Sequence, residues 1–266
     1  MRDVIQISCL GNMGRFGNQL WQYAFAKSYA EKHDCELQIP HNWIGRQLFK
    51  DINEPPIVEP LPKTELDHLP EDETNIDLYG FYQHQKFADT MDAEKVRGWF
   101  TFKDEWEEMF PKVQDYYIAA HMRRGDYTGH PNFCTISVDS FRNAIRKFGH
   151  DESKVVPVAE EFKHPSDTRD YSKNKTYYEN IDFLFDFFLV RNADVIFRSN
   201  STFSWWAAFL AKPDVKVYSP LVQGLRGQYD IDVEFTEGNW PCHMEIDDRH
   251  SDIYFGTEIA NGTARV

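Results

Sequence analysis

Short apolar runs that end at turns of unusual composition, each followed by a segment of helical period, recur along this chain and restrict the folds open to it. Residues 4–9 read as a strand, 11–17 as a glycine-rich turn and 19–33 as a helix, whose Leu20, Tyr23, Ala24, Ala26 and Ala30 return near helical spacing. Downstream, strands at 116–122, 154–158, 194–198 and 215–218 alternate with helices at 138–148, 180–191 and 202–211. Such alternation predicts the α/β class with a largely parallel sheet. Pro55, Pro56, Pro60, Pro62 and Pro70 forbid regular structure over 54–70, and a second polar stretch at 164–175 reads as another exposed connection. No internal repeat or low-complexity tract interrupts the pattern.

Composition narrows the function classes. A chain of 266 residues can bury a sizeable core as one large domain or two small ones, and its 15% aromatic content excludes intrinsic disorder. Its 29 Lys and Arg against 43 Asp and Glu give a net charge of −14, which repels polyanions, so nucleic acid is not an expected partner. An anion must then be met by a few placed cations and amide groups in a cleft. Cys9, Cys35, Cys134 and Cys242 are scattered without paired spacing, which points to free thiols and to neither a zinc site nor a disulfide framework. The first ten residues include Asp3 and read as a buried strand, and no stretch has the apolar length to span a bilayer. A soluble cytoplasmic protein with no membrane span is expected.

Three segments carry chemistry. In Gly11 to Gln19, GNMGRFGNQ, the glycines permit close backbone approach and the following helix offers N–H groups to a ligand, but the run lacks a Walker lysine and the dinucleotide spacing. Asn18 here reads equally as a helix cap or as a ligand to sugar or phosphate. The second segment, His121-Met122-Arg123-Arg124-Gly125-Asp126-Tyr127, follows a strand directly and so sits at its carboxyl end, where open parallel sheets bind ligands. Two adjacent arginines there call for anionic partners, either a ligand phosphate or Asp126 as an ion pair. The third, Arg198 to Ala208, is again a strand end passing into a helix. Its Ser201, Thr202 and Ser204 suit either capping or a diphosphate oxygen, and Trp205 and Trp206 read as core packing before a sugar platform.

Taken together, GRFGNQLWQYAFAKSYA, HMRRGDY and SNSTFSWWAAFLA resemble the α-1,2-fucosyltransferase family, in blocks at 14–30, 121–127 and 182–211. The resemblance implies a GT-B-like α/β fold of two Rossmann-like halves facing a cleft, with residues 1–113 on the acceptor side and 114–266 binding the nucleotide-sugar donor. It implies that Arg123 or Arg124 contacts the β-phosphate, that His121 lies near the nucleotide, and that Ser201, Thr202 and Ser204 reach the phosphates. Gly17, Asn18 and Gln19 would face the cleft from the other half. It implies no cofactor beyond the donor, GDP-fucose as the family uses, with a glycan acceptor and no metal ion.

One departure bears on donor choice. Where the family commonly has a Ser-Asp-Asp-like step, this chain runs Val155-Val156-Pro157-Val158-Ala159-Glu160-Glu161, and Glu160 is the carboxylate left to grip a guanine edge. A different nucleotide sugar, carrying xylose, rhamnose or galactose, therefore stays open, as does a non-catalytic nucleotide or glycan binder. Asp126, beside the arginines, is a candidate base for the acceptor hydroxyl, or else it orients Arg124. Asp230-Ile231-Asp232 matches the DxD spacing that other transferases use for manganese, and in so acidic a chain it reads as a chance match. Without an anchor, a bacterial or viral enzyme of glycan biosynthesis is expected over a Golgi one.

Overall fold

The computed structural model describes residues 2–159, 181–222 and 225–239. Glu160, the connection at 164–175 and Cys242 lie outside them. The chain divides into two compact units between Glu107 and Glu108, against an expected boundary at 113/114.

In the first unit, β1 (Val4–Gln6) lies between β2 (Glu36–Gln38) and β3 (Ile76–Asp77) in a three-stranded parallel sheet. Helix α1 (Phe16–Lys32) joins β1 to β2 and starts inside the glycine-rich turn, earlier than its spacing predicts. Gly11 and Gly14 adopt left-handed backbone, at φ 88° and 75°, and a Cβ on Gly14 would collide with the Asn18 side chain. Arg15 occupies the cap position without a side-chain bond, so Asn18 sits within the first turn and is not the cap. Helix α1 buries Leu20, Trp21, Tyr23, Ala24 and Phe25, which wrap much of its circumference, and so it runs as a core helix. The proline-rich stretch forms no strand of its own. It is fastened along β1 by the buried Gln6 amide, which donates to Glu59 O at 2.7 Å and accepts from Leu61 N at 3.0 Å. Short helices complete this part of the chain: α2 (Gly45–Leu48) before β3, then α3 (Gln85–Ala88), α4 (Ala93–Trp99) and α5 (Asp104–Met109). Asp92 caps α4 by accepting from the Glu94 and Lys95 amides.

The second unit holds a five-stranded sheet in the order β5-β4-β6-β7-β8. Strands β4 (Ile118–His121), β5 (Val155–Val158), β6 (Val195–Phe197) and β7 (Lys216–Pro220) are parallel, and β8 (Phe235–Glu237) closes the sheet antiparallel to β7. Helices α6 (Val138–Lys147), α7 (Phe183–Arg191) and α8 (Thr202–Phe209) connect them. All four expected strands and three expected helices of this region form. β8 was not expected, because its three residues carry no strand signal of their own. Pro157 is tolerated because β5 lies at the edge of the sheet among the described residues, where a missing N–H costs no ladder bond. Ile118, Ala120, Phe141, Ile145, Phe197 and Phe235 build one core against the sheet.

The strand order reverses at the centre. From β4 the chain crosses to β5 on one side, and it later returns to β6 on the other side of β4. The turns leaving β4 and β6 therefore part in opposite directions, which opens a crevice at their carboxyl ends. Phe197 stacks on Tyr218 at 4.5 Å beneath that crevice. Replacing Phe197 with Ala should cost about 3–5 kcal/mol, read as a lower denaturant midpoint by near-UV circular dichroism.

Candidate functional site

His121 ends β4, and Arg198, Ser199, Asn200 and Ser201 follow β6. Parallel pairing places Ala120 opposite Phe197, so the next residues of the two strands emerge side by side. The buried His121 ring shares a hydrogen bond between Nδ1 and Ser199 Oγ at 2.8 Å and stacks on Phe203 of α8 at 5.4 Å. A second tie runs from Tyr127, whose hydroxyl donates to Asn200 O at 3.5 Å. The two motifs read separately in the sequence thus form one site.

The serine turn is organised from within. Ser201 caps α8, its Oγ accepting from Phe203 N at 3.3 Å. Ser204 is fully buried and its hydroxyl donates back to Ser201 O at 3.3 Å. Thr202 opens the helix, half-buried. Trp205 and Trp206 are core residues, 1% and 0% exposed. Arg198, which sequence reasoning passed over, is completely buried. It donates through Nε to Ser219 Oγ at 2.8 Å and through Nη1 to Ser199 O at 3.0 Å. Its signal was available, because an arginine at the end of an apolar strand must find acceptors.

The two adjacent arginines diverge. Arg123 lies over the Tyr127 ring at 5.0 Å and forms an ion pair with Asp126. Arg124 pairs with Asp230, Nη2 to Oδ1, at 2.6 Å. Asp126 and its neighbours Gly125 and Tyr127 form a single turn of 3-10 helix. Asp232, the other carboxylate of the DxD spacing, accepts from Ser137 Oγ at 2.5 Å. The two acids therefore serve different partners, and among the described residues no group of three His, Cys, Asp or Glu side chains is placed to hold a metal ion.

Gly17, Asn18 and Gln19 lie in α1 of the first unit. Asn18 Oδ1 accepts from Gln83 Nε2 at 2.9 Å. The Gln19 amide is engaged at both ends, accepting from Trp43 Nε1 at 3.0 Å and donating to Gly14 O at 3.2 Å. Cys9, Cys35 and Cys134 are buried, and no disulfide joins them among the described residues. No helix of the described residues is long and apolar enough to cross a membrane.

No protein-family model matches this chain, and no curated protein matches it. Solved structures do. Fucosyltransferase NodZ from Bradyrhizobium is similar with a TM-score of 0.52 at 13% identity, covering 89% of this chain and 99% of that one. The NodZ α-1,6-fucosyltransferase soaked with GDP-fucose gives 0.50 at 14% identity over the same shares, and its form co-crystallised with GDP gives 0.51. At such identity the likeness shows the fold, which is the α/β, GT-B-like fold that the sequence motifs imply.

Electrostatics at the crevice have a definite sign. Burial, reinforced by the nearby Arg123 and Arg198 guanidiniums, pulls His121 down to about 3, so its ring is neutral at physiological pH. An unfolded histidine takes its proton near 6.5, so between that pH and about 3 unfolding takes up a proton and acid weakens the fold. His121→Asn retains a polar group near Nδ1 but does not titrate. Wild type should therefore lose stability more steeply than this variant as pH falls through that window, by about 1.4 kcal/mol per pH unit at most, read from denaturant midpoints.

Proposed function

We propose that this chain is an inverting glycosyltransferase that moves L-fucose from GDP-fucose to a galactose-type hydroxyl of a glycan, forming an α-1,2 linkage in the cytoplasm without a metal ion. The observation that carries this reading is the meeting of the HMRRGDY loop and the serine turn at the switch point of a parallel sheet, with two arginines carried on that loop. Likeness in fold to NodZ, a fucosyltransferase by name and studied with GDP-fucose, supports it.

The chemistry follows from where charge develops. As the bond between the fucosyl anomeric carbon and the β-phosphate oxygen breaks, its electron pair stays on the phosphate and positive character grows on the sugar ring. Arg123 and Arg124 neutralise the phosphate through forked N–H donors, assisted by the N-terminal dipole of α8 behind Ser201 and Thr202. Permanent guanidinium charge does here what a divalent ion does elsewhere. The acceptor oxygen attacks the opposite face of the sugar, which inverts the anomeric centre, and its proton passes to Asp126. His121, neutral and fixed by Ser199, lines the nucleotide's seat without adding a charge that would compete with the arginines. Glu160 takes the guanine edge by accepting from its N–H groups.

A second reading keeps this chemistry and changes the linkage, because the NodZ structures that cover the chain are named α-1,6. The deciding experiment is a donor panel of GDP-fucose and UDP-sugars with galactose-terminated acceptors in EDTA, with the product linkage read by NMR. An α-1,2 fucoside upholds the proposal and an α-1,6 fucoside moves it to the second reading. Transfer from a UDP-sugar removes the donor assignment, and nucleotide binding without turnover leaves a non-catalytic binder. Arg123→Ala and Arg124→Ala should each lower turnover by about a hundredfold or more. Lysine at either position should restore little, because it lacks the fork. Unchanged turnover in both alanine variants would place the diphosphate elsewhere.

A further inference from the structure

Asp230 stands on an unusual backbone. Its φ of 52° is left-handed, a region that residues other than glycine, asparagine and aspartate avoid. Its surroundings hold it there. Asp230 N donates to Thr135 Oγ1 at 2.9 Å, Ile231 N to Thr135 O at 3.0 Å, and Thr135 N to Gln228 O at 3.1 Å. Ser137 N donates to Ile231 O at 2.9 Å, which completes a parallel bridge between Ile136 and Ile231. Thr135 is 1% exposed, so this zipper is anchored in the core. Asp232 adds a clasp by accepting from Ser137 Oγ at the cap of α6.

An exposed ion pair between two flexible side chains contributes little to stability. Here the carboxylate rides on a backbone held by hydrogen bonds on both sides, and such local strain persists where the fold over-determines it. The effect is therefore directional. Arg124 is met from a segment far downstream, while its neighbour Arg123 is met by Asp126 within the same loop. A guanidinium carries five N–H donors, so one carboxylate and one phosphate can share it.

We propose that Asp230 is a positioning residue: its carboxylate, carried on the left-handed turn that zips 228–231 to 135–137, aims the Arg124 guanidinium at the donor diphosphate. This rests on the diphosphate site proposed above. It also gives Asp230 of the DxD spacing a role as an arginine partner in place of a metal ligand.

Asp230→Asn tests it cleanly, because asparagine tolerates the left-handed backbone and the change removes only the charge. Binding of inorganic pyrophosphate and of GDP is measured by calorimetry on the full chain for wild type, Asp230→Asn, Arg124→Ala and the double variant. Asp230→Asn should weaken pyrophosphate about tenfold and lower kcat for fucosyl transfer, with its melting temperature close to wild type. In the double variant the loss should equal that of Arg124→Ala alone. Losses that add in full, or pyrophosphate bound as tightly or more tightly by Asp230→Asn, overturn the positioning role. If wild type binds neither pyrophosphate nor GDP, the diphosphate site falls together with it. If Arg124→Ala loses affinity and Asp230→Asn does not, only the role of Asp230 falls.

Discussion

The hydrogen bond between His121 Nδ1 and Ser199 Oγ sits where backbone pairing between β4 and β6 gives out. Beyond Ala120 and Phe197 the two strands lead into turns that part, and a side-chain bond takes over the work of the ladder. On its other flank β4 stays zipped one residue longer, through Met122 N to Val158 O at 2.8 Å. The imidazole can play this part only while neutral, since a buried cation beside permanent guanidiniums would be strongly disfavoured. Arg198 supports the same junction from below, with one donor on the Ser199 carbonyl and another on Ser219. The arginine loop and the serine turn keep their mutual geometry because of this small polar knot, and the crevice between them depends on it.

A chain of net charge −14 is a poor attractor of anions at a distance. On the function proposed above, what the second unit offers a diphosphate is local: Arg123 and Arg124 on the loop after β4, and the N-terminus of α8 after β6. The acids that give the chain its overall sign also take part. Asp126 and Asp230 meet Arg123 and Arg124, so the arginines are ordered before any ligand arrives. Their carboxylates are 45% and 60% exposed, where water moderates the attraction. Recognition of the kind proposed here would favour a small anion that reaches this strand end over a polyanion that remains outside it.

Much of the second unit was legible because several signals agreed there. Apolar runs such as Val195–Phe197 end at polar turns, and the helices after them begin at capping residues such as Ser137 and Ser201. The first unit was harder to read. β2 and β3 are three and two residues long, and Glu36 and Asp77 within them carry charge, so neither looks like a strand until β1 lies between them. The start of α1 was misplaced because Phe16 and Gly17 look like part of the glycine turn, whereas the left-handed Gly11 and Gly14 finish the turn before them. At the site, the arginines and the serine turn could be named from their place after strands. The pairing of Arg124 with Asp230 could not, because it depends on the bridge between Ile136 and Ile231, a tertiary contact without local signal.

The aromatic helix after the serine turn fixes the geometry of that turn as well as packing the core. α8 is buried almost entirely, with Trp205 stacked on Phe209 at 5.1 Å and edge-on to Trp206 at 5.2 Å. Asn239 Nδ2 donates to Trp205 O at 3.2 Å, which ties the helix to the end of the sheet's last strand. A helix locked in this way cannot shift its first turn without disturbing the core, so Ser201 and Thr202 are held at fixed positions beside His121. Stabilising a developing phosphate charge requires donors and dipoles that are already aimed, because reorganising them during the reaction would consume the gain. The tryptophans that read as core packing in the sequence thus hold the polar serine turn rigid, as the leaving-group role proposed for that turn requires.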